Sequence, residues 1–385
     1  MIPEVRARRN DIDWLRIGAT FLLFVFHPAR PFDHQGWHVK SAVQSDAFDL
    51  LVWFIHQFHM PLFFALAGWS LERSLRFRSV ADIRRERRRR LLIPFLAGVA
   101  LLSPPQAYVE AVTQRGYTGT VTAFLGCFFT SLRCFSWHHL WFLIYLFTFT
   151  MVYLPLVARF PRSTRRTALA PGVVLAAMVP FALVQVGLRA RWPGEQNLFD
   201  DWANFIWYSL FFLGGFLVSR VPLLEDTIRR GRRTWTAGFW IAAVAMLPIL
   251  VRHRAEMFVP GAPYAAYWCL SAAAGVLGVA SALAWGRRLE GVDGPRFRYL
   301  RESLLPVYIL HQPVIVLLAY WLVHSPLPIG VEYLVLATLS LATTMALYHF
   351  VIRRVAILRF LFGMPPGTPA IAWGGDPRAE TSPVA

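Results

Sequence analysis

The chain has 385 residues, 56% of them hydrophobic and only 16% charged, where a soluble protein carries about 25% charged residues. Lys+Arg 39 against Asp+Glu 22 gives a net charge of +17, but the basic residues stand in short clusters between long apolar runs, which excludes a nucleic-acid-binding face. Three cysteines cannot all pair within one chain, so no disulfide framework is implied.

A spanning helix needs roughly 20 mostly apolar residues to cross about 30 Å of hydrocarbon. Ten segments meet that length: 12–30, 50–72, 91–110, 139–158, 168–188, 204–219, 235–251, 265–286, 303–323 and 332–352. The predicted fold is therefore all-α, a polytopic bundle of about ten transmembrane helices over residues 1–363. Residues 364–385, rich in Pro and Gly, are expected to form a disordered cytoplasmic tail. Thirty of the 39 Lys and Arg residues fall at the two termini and in alternate connections, and eight fall in the other five loops. Short cytoplasmic loops retain Lys and Arg, so both termini are predicted to be cytoplasmic, in the inner (plasma) membrane. The first apolar run leads into His27, Pro28 and Pro31 rather than a small-residue cleavage site, so the first helix is expected to stay in the protein. Neither an internal repeat nor the paired broken helices of many transporters is visible.

In such a chain the informative residues are the ionisable ones inside spans, since each is costly unless paired, hydrated or used. The first span holds Asp11, Asp13, Arg16 and His27. Eleven residues separate Arg16 from His27, about 1,100° of rotation and about 16 Å of rise, so both point to nearly the same face at different depths. Asp13, one turn before Arg16, can pair with it. In the second span His56 and His59 share a face at i, i+3, with Pro61 just beyond. The connection that follows carries nine arginines, six of them between Arg84 and Arg90. Positive-inside topology and anionic lipid both account for such a loop, and its guanidinium groups also suit the phosphates of an anionic donor. Cys127 and Cys134 lie seven apart in an outer segment, with pairing left open. His138 and His139 open the fourth span, and His311 lies near the middle of the ninth. Trp37, Trp53, Trp137 and Trp141 cluster at the outer ends, where an interfacial belt is the first expectation and sugar stacking the second.

Convergent imidazoles allow a metal site or general base catalysis. No metal is expected, because the His56–His59 pair lacks the Glu of the His-Glu-x-x-His pattern and no carboxylate lies in the outer halves of these spans. Neutral imidazole suits removal of a proton from a hydroxyl as it attacks a carbonyl.

Five patterns, in this order, resemble the acyltransferase-3 family of integral-membrane O-acyltransferases, in its glucan-modifying branch. They are Asp13 to Arg16 followed after ten residues by His27, His59 to Gly68, Arg90 to Pro94, His139 to Leu143, and Ser303 to Pro313. Ala67 and Pro306 depart from the family's usual residues. The resemblance covers roughly residues 10–360. It implies transfer of an acyl group, acetyl or succinyl, from cytoplasmic acyl-CoA as co-substrate to a hydroxyl of an extracytoplasmic or membrane-associated carbohydrate. It implies His27 as the catalytic histidine and Arg16 as its partner. Acyl-CoA phosphates are expected on Arg16, Arg89 and Arg90, and the acceptor or its oxyanion on His59, His139, Tyr308 and His311. The rival expectation is a proton-coupled transporter or flippase of a polar solute or lipid-linked sugar, built on the same histidines. Oligomeric state leaves no trace in the sequence.

Overall fold

The computed structural model describes residues 9–131, 133–161 and 172–365. Helices account for most of them, and no strand occurs among the described residues. In chain order the helices are α1 Asn10–Phe26, α2 Asp46–His56, α3 His59–Leu75, α4 Val80–Leu101, α5 Ser103–Arg115, α6 Val121–Thr130, α7 Trp141–Val157 and α8 Gly172–Leu188. They continue with α9 Trp202–Arg220, α10 Pro222–Arg230, α11 Arg232–Arg252, α12 Ala262–Gly286, α13 Pro295–Leu322, α14 Ile329–Ala346 and α15 Ala356–Leu361. Among the described residues, eight helical stretches are long and apolar enough to cross a membrane, and α4 with α5 makes a ninth if that bent pair counts as one. The remaining expected span survives as α8, a shorter apolar helix whose predicted first residues, 168–171, lie outside the described residues.

Local chemistry sets the departures from straight spans. The segment expected as 50–72 is two helices that break at Gln57 and Phe58, where the N–H groups reach back three residues to Phe54 O and Ile55 O. Pro61 then sits at the third position of α3, in the first turn, where its missing N–H costs no helical bond. The arginines expected in a loop lie on α4, which starts at Val80 under a Ser79 cap and passes through a π turn at Arg88–Leu92. Arginine is a good helix former, so basic character alone does not end a helix. At Leu102 the chain bends by 42° into α5. Pro104 and Pro105 follow at once, and neither has an N–H to offer the last turn of α4. Gly116, at φ 63°, then closes α5 in the left-handed conformation that glycine adopts without strain.

Helix α1 lies inside the bundle against α3, α12, α13 and α14. Its buried Asp11 is held by Arg9, which also pairs with Glu225 at 2.7 Å, and Arg287 stands 3.9 Å from Asp11. Helices α3 and α9 approach so closely that a Cβ on Gly68 would stand 1.7 Å from Phe212 O, and one on Gly215 1.9 Å from Ala65 O. Small residues permit that backbone contact. Buried Glu72 on α3 is then met by Arg76 at 2.9 Å, and from α9 by Ser219 at 2.9 Å and Arg220 at 3.4 Å. At the other end of the molecule, Cys127 and Cys134 form a disulfide. Met364 is buried and its N–H bonds Arg359 O. Of the tail expected over 364–385, residues 366–385 lie outside the described residues.

Candidate active site

The end of the bundle that carries His27 is hollow. A cavity of about 810 Å³ opens there, and seven of the chain's 11 histidines line it: His27, His38, His56, His59, His138, His139 and His311. Its walls come from the end of α1, the α2–α3 break, the residues entering α7, the middle of α13, and the segment between α8 and α9. The loop after α1 is tied down by Lys40, whose ammonium donates to Arg30 O at 2.6 Å and to buried Asp33 at 2.8 Å. Burial pushes that ammonium below the usual lysine range, with Asp33 opposing. The segment before α9 is fixed by Asp201, which accepts from Tyr145 and from the Gln196 N–H, each at 2.8 Å.

Three imidazoles form a row at the floor. The His27 and His311 rings are 5.0 Å apart, and those of His311 and His139 are 4.9 Å apart. Two members, His311 and His139, are each held by a carbonyl that fixes the tautomer. His311 Nδ1 donates to Tyr308 O at 2.5 Å, and His139 Nε2 donates to Ile309 O at 3.0 Å. Those bonds leave His311 Nε2 and His139 Nδ1 as lone-pair acceptors, and neither has a hydrogen-bond partner; nor has His27 Nδ1. His59 is oriented the same way, donating from Nε2 to Ala19 O at 2.7 Å. The Tyr308 hydroxyl donates to His139 O, so it braces the row from behind. A group of neutral rings with bare nitrogens accepts a proton from a hydroxyl brought among them.

Arg16 is placed differently. Its guanidinium donates to Asp13 and to Leu66 O, each at 3.0 Å, and to Ser70, so it joins α1 to α3. It is not among the residues that line the cavity, whose reach along α1 ends at Leu23. Arg90 stands 3.4 Å from Glu86, and Arg89 lies 5.8 Å from the Phe360 ring, both on or beside the π turn of α4. The geometry thus gathers His27, His59, His139, Tyr308 and His311 into one site and keeps Arg16, Arg89 and Arg90 at the opposite end.

Trp37, Trp53, Trp137 and Trp141, expected first as belt residues, all lie on the cavity wall, with Trp207 and Trp268 beside them. Arg189 is a wall residue that sequence reading missed. Only 5% exposed, it is held by Gln185 at 2.7 Å and Asn204 at 2.9 Å and stacks 4.8 Å from the Trp268 ring. Glu110 of α5 was missed too, and it stands 2.7 Å from His38. A lone Glu in the otherwise uncharged run from Ser103 to Gln114 was the available signal.

Comparison with known proteins adds a second line of information. The acyltransferase-3 family model, described as an acyltransferase domain, matches residues 9–349. Curated relatives include proteins named "Glucans biosynthesis protein C" from Salmonella gallinarum (strain 287/91 / NCTC 13346) and Salmonella typhi. Each is 25% identical to this chain over 93% of its length and 96% of the relative's. No solved structure matches the chain.

Proposed function

The chain belongs to the acyltransferase-3 family, and on that premise we propose that it moves an acyl group, acetyl or succinyl, from cytoplasmic acyl-CoA to a hydroxyl of a carbohydrate outside the cytoplasm. It is a multi-pass, membrane-embedded acyltransferase. The name of the relatives supports a glucan as the acceptor. In this reading both termini are cytoplasmic, the membrane is the inner (plasma) membrane, and the histidine cavity opens away from the cytoplasm. The Cys127–Cys134 disulfide at the cavity end supports that orientation, since disulfides persist in oxidising compartments.

The observation that carries the proposal is the row of three imidazoles with bare nitrogens on the wall of a tryptophan-lined cavity. Tryptophan faces suit sugar rings, and the bare nitrogens suit their hydroxyls. The acceptor oxygen attacks the thioester carbonyl carbon while its proton passes to His27. The carbon–sulfur bond then breaks, and the leaving CoA thiolate takes a proton back from the imidazolium. His59, His139 and His311 orient the acceptor, with Tyr308 holding His139. Arg89 and Arg90 take the donor's phosphates. Arg16, about 16 Å below His27 along α1, lies on the donor's route.

The test compares wild type with His27→Ala at matched protein abundance, by mass spectrometry of envelope carbohydrate. Loss of a base-labile acyl increment in the variant supports transfer. A wild type that yields no such increment with any acyl-CoA refutes it, and proton-coupled movement of an unmodified solute would establish transport instead.

A further inference from the structure

Beside the imidazole row lies a second cluster that the transfer reaction does not use. His38 comes from the loop after α1, Glu110 from α5, and His138 from the turn that enters α7. One donor atom from each lies within 4.8 Å of the other two. His38 Nδ1 is 2.7 Å from Glu110 Oε2, and His138 Nδ1 is 4.0 Å from the same oxygen. All three side chains are largely withdrawn from solvent, at 8%, 23% and 4% exposure.

Two further observations set this cluster apart from an ordinary imidazole–carboxylate pair. His138 adopts φ 45°, a left-handed conformation uncommon outside glycine, and this turn delivers its ring against His38, centroids 4.6 Å apart. Its Nε2 is buried with no side-chain partner, and its Nδ1 stands 3.3 Å from Ser136 Oγ.

We propose that His38, Glu110 and His138 form a binding site for Zn²⁺. Two imidazoles and a carboxylate are a donor set that zinc takes readily, with three protein ligands and a fourth position left open. Bonds of about 2.0–2.2 Å in a tetrahedron put donor atoms about 3.3 Å apart. Small side-chain movements reach that spacing from the distances here. The outer partners are present as well. The Gln312 amide nitrogen is 2.9 Å from His38 Nε2, and a half-turn of that amide puts its oxygen there to accept the Nε2–H once Nδ1 holds the metal, while Arg115 holds Glu110 Oε1 at 2.6 Å, leaving Oε2 for the ion. His38 and His138 both line the cavity, so the open position faces it. The ion pins the loop after α1 to α5 and α7 at the cavity mouth, whether or not acyl transfer is the reaction inside.

The test uses the full chain in detergent, purified through a tag free of histidine, stripped with a chelator and re-equilibrated with Zn²⁺. Metal per chain is counted by mass spectrometry after desalting, and affinity is read by competition with a chromophoric chelator. One zinc per wild-type chain is expected, with affinity weaker by about tenfold or more in Glu110→Gln and in His138→Ala. A wild type that retains no more zinc than these variants overturns the site and leaves a hydrogen-bonded pair. If His138→Ala does not fold, Glu110→Gln, nearly isosteric, decides alone.

Discussion

Asp11 and His27 sit on the same helix, sixteen residues apart, in opposite kinds of polar surroundings. Around Asp11 charge meets charge across helices: Arg9 joins it to Glu225, Arg287 joins Glu225 to Glu290, and nearby Glu72 gathers Arg76 and Arg220. Around His27 the neighbours are neutral rings, each oriented by a backbone carbonyl and each left with a bare nitrogen. Buried polar groups without partners are costly, so they persist where a ligand completes them. At Asp11 the chain's own side chains close the contacts, whereas the imidazole row keeps nitrogens to which a ligand can bond.

Substitutions can break or sharpen that contrast. His27→Ala should lower ester formation by about 10²–10⁴-fold, the usual worth of a general base, with the unfolding temperature in detergent unchanged. A comparable drop in stability would make His27 another staple. Glu72→Gln should do the reverse, costing about 3–5 kcal/mol of stability because it strands buried guanidinium groups, while activity per folded molecule holds. Thermal unfolding and specific activity, measured on the same preparation, separate these outcomes. Gly68→Ala forces a methyl against the Phe212 carbonyl and should cost about 1–3 kcal/mol, read as a lower unfolding temperature. Tyr308→Phe removes one hydrogen bond to His139 O, worth about 1 kcal/mol. It should slow transfer by a few-fold without loss of fold, and an unchanged rate would show that the imidazole row needs no brace.

How much of this was legible beforehand depends on what each feature answers to. The bilayer imposes length and apolarity on every span, so the ten segments were readable, and so was the common depth of His27, His59 and His139. The bend at Leu102 and the helical arginines were not, because a hydrophobic window ends at the first charge whereas a helix need not. Trp53 and Trp141 read alike on a lipid belt or on a cavity wall, since composition at one depth is the same for both. Arg189 reaches the cavity from a segment that looked like an ordinary connection, and Glu110 stood at the last position of the span expected over 91–110. His38 and Glu110 lie 72 residues apart, and no periodicity links them.

The contact between α3 and α9 bears on how the molecule can move. With Gly68 against the Phe212 carbonyl and Gly215 against that of Ala65, and with Glu72 clasped by Arg220 one turn further on, these two helices form a rigid spine. Alternating access by rocking one half against the other would have to slide that seam and pull a buried carboxylate from its cations. In the proposed reaction that leaves exchange of the acceptor to the loops that line the cavity, around a seam that stays fixed.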